Sequence, residues 1–213
     1  MNQQSVELLI DPACPWCWLT SLWLFEAERV RRFAVETKVF SLAEVNRAAD
    51  DMRDSHNAGD RALRVLVAAR RSGGEQAIRA VYRELGQAHH ERSEPLGESA
   101  TLEAAVLAAG LPRSLVAGAL ADETIVAEIL SEHAAAIERG GFGVPSLSVD
   151  GSRPFFGPIV DNHITGEAAG KLWDVVAPLL VNPHVFELKR PRTGYPEVGR
   201  YESQIAAAAA AAG

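Results

Sequence analysis

One junction constrains the fold more than any other feature. The short apolar run Val6-Glu7-Leu8-Leu9-Ile10 is ended by Asp11-Pro12, and Cys14-Pro15-Trp16-Cys17 follows at once. A run of this length and composition suits a strand buried on both faces. From Pro15 onward, Trp18, Leu19, Leu22, Trp23, Leu24, Ala27 and Val30 recur at helical spacing up to the charged stretch of Arg29, Arg31 and Arg32. Phe33 to Leu42 then alternates, with Val35, Thr37 and Val39 on one side and Glu36 and Lys38 on the other, which is strand periodicity. The three elements predict a β-α-β unit with a right-handed crossover. Its cysteine pair sits where strand turns into helix.

That position has chemical consequences. A sulfur at a helix start lies near unpaired backbone N–H groups and the positive end of the helix dipole, and both favour thiolate. A free thiol pKa of about 8.5 can fall to roughly 3.5 to 7.5 in such surroundings. Cys14 is expected to be the attacking thiol. Cys17, one turn further on and less exposed, is expected to resolve. Pro15 suits the first helical position, where a missing N–H costs nothing.

The remainder of the chain divides by composition. Residues 43–140 are rich in Ala, Leu, Arg and Glu, with breakers at Gly73-Gly74, Glu94-Pro95 and Gly110-Leu111-Pro112. They read as an inserted helical subdomain, with helices over 61–71, 75–87, 99–109, 114–121 and 123–139 and with Ser99 and Asp122 as N-caps. Residues 1–42 and 141–213 then form the two parts of one α/β domain with a C-terminal tail. Ser146-Leu147-Ser148-Val149, the turn Asp150-Gly151 and the stretch 153–156 predict a β-hairpin, and 166–180 a helix. The alanine run Ala206 to Ala212 is too short to be a stable helix alone. Gly143-Val144-Pro145 enters the first hairpin strand. In a thioredoxin-like fold a cis-proline there faces the nucleophile and presents the Val144 backbone to substrate; the plainer reading is a proline that starts a strand.

Composition narrows the function. The chain has 213 residues, 47% hydrophobic and 23% charged, with a formal net charge of -7, enough for one sizeable core. With that charge, nucleic acid and anionic membrane surfaces are not expected partners. No leader is legible at the N-terminus and no apolar run approaches the roughly 20 residues of a membrane helix, so a cytoplasmic protein is expected. Its two cysteines are the Cys14/Cys17 pair, and in a reducing compartment such a pair is redox-active or metal-binding rather than a staple. A zinc site would need two histidine ligands, and the adjacent His89-His90 is the available source. Strand before and helix after the pair favour the redox reading, a thiol-disulfide oxidoreductase with no metal, flavin or nicotinamide.

Strand, Cys-Pro-Trp-Cys at a helix start, strand, helical insertion, Val-Pro and hairpin together resemble the DsbA-like branch of the thioredoxin superfamily. Asp11-Pro12-Ala13-Cys14-Pro15-Trp16-Cys17-Trp18, Phe155-Phe156-Gly157-Pro158, Gly170-Lys171-Leu172-Trp173-Asp174 and Phe186-Glu187-Leu188-Lys189-Arg190 are more specifically similar to the mycothiol-dependent nitroreductases. The resemblance implies a DsbA-like fold with a large all-helical insertion. It also implies a cytosolic homodimer whose dithiol reduces a nitroaromatic or other electrophilic small molecule, with mycothiol as the low-molecular-weight thiol that restores it. Cys14 and Cys17 would be catalytic, and Pro15, Trp16, Asn46, His56, His90, Val144 and Pro145 would bind substrate. His56 stands near where that family has a tyrosine, and Val144 where it has a threonine.

Duller roles compete. Asn46 could cap the first inserted helix, and His56 and His90 could simply be solvated or hydrogen-bonded. Trp18, Trp23, Trp173, Phe155, Phe156 and Phe186 read as core and Arg29, Arg31 and Arg32 as a solvated helix end. Two other functions share these features: a kappa-class glutathione transferase or hydroxychromene-carboxylate isomerase relative, which uses no internal disulfide, and a redox-switched binding protein or metallochaperone.

Overall fold

The computed structural model describes residues 4–47, 54–196 and 198, the side chains of 54–57 excepted. The alanine run at 206–212 and the side chain of His56 lie outside what is described. β1 (Ser5–Ile10), α1 (Pro15–Arg31) and β2 (Ala34–Val39) make the expected unit, β1 and β2 pairing parallel from Ser5 with Ala34 to Ile10 with Val39. After α2 to α6 the chain returns as β3 (Ser146–Val149), antiparallel to β1, and β4 (Phe155–Phe156), antiparallel to β3. The sheet order is β2-β1-β3-β4. Asp150 and Gly151 both have positive φ, the conformation that a tight hairpin turn demands of its central residues. β4 is shorter than the predicted 153–156, for Pro154 has no N–H to give the ladder.

Leu42 does not continue the strand. It opens α2 (Leu42–Arg47), capped by Ser41, whose Oγ accepts the Glu44 N–H at 3.2 Å. α3 (Asp54–Gly86) is broken at Gly73 and Gly74, and Gly74 has φ 67, so the break read from sequence is real. A π-helical turn, Gln87–Glu91, extends it. α4 (Ser99–Ala108), α5 (Ser114–Ala121), α6 (Glu123–Glu138) and α7 (Gly166–Leu180) complete the chain's helices among the described residues. Asp122 caps α6 through the Thr124 N–H at 2.8 Å, as expected. Ser99 does not cap α4: Glu98 takes that position, and Ser99 Oγ receives Arg61 instead.

Two clusters hold the layers. Trp173 of α7 stacks on Phe33 with ring centroids 4.3 Å apart, and Trp23 Nε1 of α1 donates to the Ala169 carbonyl of α7 at 3.1 Å. At the helix end Arg29 and Arg32 are exposed as expected, and Arg31, partly exposed, is also tied to α7: it is bidentate to Asp174 and pairs with Glu167. Trp18, Trp23 and Trp173 are buried as expected, whereas Phe155 and Phe156 are only half-buried and Phe186 is 85% exposed. Phe186 lies in the segment after α7, which among the described residues is neither helix nor strand.

The outer edge of β2 is finished by side chains rather than by another strand. Its N–H groups at Val35, Thr37 and Val39 donate to Glu28 of α1 (2.7 Å), Glu75 of α3 (3.1 Å) and Glu132 of α6 (2.9 Å). Arg79 binds Glu28 and Glu75 and also the Val35 carbonyl, and Arg70 binds Glu128 and Glu132. Three helices are thereby tied to one strand, and an edge that could template aggregation is closed.

Candidate active site

Asp11 shapes the turn that carries the cysteines. Its Oδ1 accepts the Ala13 N–H at 2.8 Å and its Oδ2 accepts the Leu42 N–H at 2.9 Å, joining the end of β1 to the start of α2. The Asp11 carbonyl accepts the Cys14 N–H at 3.1 Å. α3 approaches this turn closely at Gly59, where an added Cβ would fall 2.9 Å from Asp11 Oδ1 and 3.1 Å from the Ala13 methyl. The helical segment therefore lies directly against the cysteine loop.

Cys14 is the N-cap of α1, in extended conformation, with Pro15 in the first turn. Its Sγ accepts the Cys17 N–H at 3.4 Å and faces the Val144 carbonyl at 3.8 Å. Val144-Pro145 is a cis peptide bond. Both cysteines are free thiols, Cys14 half-buried and Cys17 wholly buried. The order of access expected from sequence holds.

Burial works against the expected thiolate. Burial pushes the Cys14 thiol well above the usual range, the neighbouring Cys17 and the Asp11 carboxyl push it further, and the N–H groups of Cys17 and Trp16 only partly offset them. Burial likewise pushes Cys17 up to about 11, opposed by hydrogen bonds from the Asp11 backbone, Tyr82 and Ser21. The helix N-terminus acts against that desolvation. Asp11 itself is raised to about 6 by burial, with two N–H bonds pulling the other way.

The remaining predicted residues fall into two groups. Trp16 is half-buried beside Cys14, and the Arg192 guanidinium lies 4.9 Å from its ring centroid. Val144 and Pro145 stand across from Cys14. His90 reaches the loop from behind: it is fully buried, its Nε2 is 2.9 Å from the Pro12 carbonyl and its ring stacks on Trp18. A carbonyl only accepts, so Nε2 carries the proton. His89 instead bonds the Glu94 carbonyl through Nδ1 at 3.0 Å. Asn46 sits late in α2 and donates back to the Leu42 carbonyl at 2.7 Å, so it does not cap that helix. His56 belongs to α3. Among the described residues no cluster of three or more His, Cys, Asp or Glu is placed to hold a metal ion, and no helix is long and apolar enough to cross a membrane.

Asp11, Tyr82, Ser21, Gly59 and Arg192 were not singled out from sequence. Tyr82 and Ser21 meet Cys17 Sγ, at 3.7 and 3.9 Å. Only for Asp11 is there a local signal, an acidic residue opening the turn before the cysteines.

Known proteins share this fold. A Mycobacterium tuberculosis protein described as uncharacterized protein Rv2286c is 28% identical over 192 residues, 89% of this chain and 83% of its own. Among solved structures, a 2-hydroxychromene-2-carboxylate isomerase superposes with TM-score 0.61 at 18% identity, over 82% of this chain and 94% of its own. A probable DsbA oxidoreductase from Streptomyces coelicolor gives 0.58 at 17%, over 90% and 95% of the two chains. The cytosolic disulfide reductase DsbM from Pseudomonas aeruginosa, with GSH, gives 0.57 at 18%, over 82% and 96%. These likenesses establish the fold as DsbA-like thioredoxin. A family model described as Rv2466c-like, mycothiol-dependent nitroreductase Rv2466c, matches residues 13–190, and the chain belongs to that family of thioredoxin-fold oxidoreductases.

Proposed function

We propose that this chain is a thiol-dependent reductase in which Cys14 attacks and Cys17 resolves, acting on a nitroaromatic or other electrophilic small molecule. The observation that carries the reading is the half-buried Cys14 at the α1 N-cap, with the Val144 carbonyl 3.8 Å in front of its Sγ and the buried Cys17 one turn behind. Closing the Cys14–Cys17 bond releases two electrons and two protons, enough for one two-electron reduction of substrate. Mycothiol, when bound, would supply the thiol electrons that reopen that bond. The residues present suit a polar thiol: of the two sulfurs only Cys14 is reachable, and Trp16 and Arg192 offer a flat face and a cation beside it. Pro15, Trp16, Val144 and Pro145 line the approach. Asn46, His56 and His90 contribute from residues 43–140, the inserted helical subdomain, His90 through the Pro12 carbonyl it holds.

Since burial pushes the Cys14 thiol up, turnover should rise with pH on the alkaline side. The protein is further proposed to work as a cytoplasmic homodimer, which sedimentation of the purified chain would test. Glutathione is the competing donor, because the Pseudomonas structure of like fold is described with GSH.

Oxidised protein incubated separately with mycothiol, glutathione and thioredoxin, with free thiols counted over time, names the donor. Regeneration by mycothiol is expected, and failure with mycothiol alongside success with another donor overturns that part. Cys14→Ser should abolish reductase turnover. Full catalysis by Cys17→Ser would instead favour chemistry without an internal disulfide, as in the isomerase that shares this fold.

A further inference from the structure

Behind the cysteine pair, two helices bring two hydroxyls to one sulfur. Tyr82 Oη of α3 lies 3.7 Å from Cys17 Sγ, Ser21 Oγ of α1 lies 3.9 Å from it, and the two oxygens are 3.2 Å apart. All three side chains are buried, none more than 1% exposed. The proton assignments follow from the neighbours. Ser21 Oγ donates to the Cys17 carbonyl at 2.7 Å, and Cys17 Sγ donates to the Leu9 carbonyl at 3.7 Å. Tyr82 then carries the remaining hydroxyl proton, which it donates to Cys17 Sγ at 3.7 Å, with Ser21 Oγ, 3.2 Å away, as its other acceptor. Its ring needs no hydroxyl for packing, for it meets Trp18 edge-on at 5.7 Å, a contact that phenylalanine would keep.

We propose that Tyr82 is a catalytic residue of the resolving step, its O–H holding Cys17 as thiolate while Cys17 attacks, with Ser21 as the second donor. The inference rests on the dithiol reading above. With a disulfide substrate R–S–S–R′, Cys14 thiolate forms Cys14–S–S–R and expels R′S⁻, which takes up the proton that Cys14 lost. Cys17 then loses its proton and attacks Cys14 Sγ. The Cys14–Cys17 bond forms, the bond to SR breaks, and RS⁻ departs with the proton from Cys17. Two electrons pass from the dithiol to the substrate. Tyr82 gives up nothing, since burial holds its own hydroxyl protonated. Losing the proton also costs Cys17 its bond to the Leu9 carbonyl, so the thiolate relies on donors: the Asp11 backbone, Tyr82 and a rotated Ser21. The titratable groups facing Cys17 besides Tyr82 are Asp11 at the end of β1 and Cys14 at the α1 cap, and neither donates a side-chain proton to it.

The test uses the reduced full chain and one equivalent of dithiodipyridine, which releases one pyridinethione when Cys14 attacks and a second when Cys17 resolves. In Tyr82→Phe the first phase should be unchanged and the second slowed about tenfold, the scale of one hydrogen bond to a charged atom, with its pH midpoint moved up. An unchanged second phase overturns the inference, and so does a slower one whose midpoint stays put, since that marks a merely structural role. If the wild-type chain shows no second phase, the dithiol reading fails instead. Should Tyr82→Phe not fold, fluorotyrosine at 82, a stronger donor of nearly the same shape, must lower the midpoint, and an unmoved midpoint overturns the inference.

Discussion

Asp11 is a buried carboxyl that serves two backbone N–H groups and also charges the surroundings of both thiols. The folded chain holds this acid to about 6 against an ordinary 3.8. Between those values the folded state keeps a proton that the unfolded state has lost, so stability falls as pH rises through that window and stays lowered above it, by on the order of 3 kcal/mol. Urea midpoints measured across the window should therefore decline in the wild type relative to Asp11→Asn, which cannot ionise; parallel profiles would refute the assignment. The same substitution removes a negative charge near Cys14, so iodoacetamide should alkylate Cys14 several-fold faster at neutral pH. Cys14 and Cys17 were legible as residues from their spacing alone. The thiol state of Cys14 was not, because spacing reveals the helix N-terminus but not how much water the fold removes from the sulfur.

At the scale of elements, periodicity located β1, α1, β2 and the longer helices, and the Gly73-Gly74 break was visible as a pair of breakers. α2 was missed because Phe40, Ser41 and Leu42 extend the apolar alternation of β2, and the chain turns there to reach the Asp11 carboxylate. The finishing of the β2 edge was equally hidden. Glu28, Glu75 and Glu132 read as ordinary surface acids of three different helices, yet each receives an N–H of one strand. Glu75→Ala strands the Thr37 N–H and one partner of Arg79, and should cost about 1–3 kcal/mol in chemical denaturation. Glu36→Ala, on the same strand but paired only with Lys38 at the surface, should stay within about 0.5 kcal/mol.

For the whole molecule, the site is assembled from segments far apart in sequence: the β1–α1 turn, α3 with its π-turn, the Val144-Pro145 bend and the segment after α7. Arg192 over Trp16 is the last of these. Arg192→Ala should raise KM about two- to fivefold, the scale of a partly exposed cation–π contact, with kcat and melting temperature unchanged; a lowered kcat would place Arg192 in the chemistry instead.

By itself the sequence determined the strand-to-helix placement of the dithiol and its order of access, since these follow from local periodicity and from two residue types three positions apart, while the class of fold came from the resemblance its motifs carry. Only the tertiary structure decided what surrounds the sulfurs. Desolvation of Cys14, the Tyr82 hydroxyl on Cys17, the His90 hydrogen bond to Pro12 and the Arg192 cap on Trp16 are contacts made through space, and their energies depend on burial and distance, which no local pattern encodes.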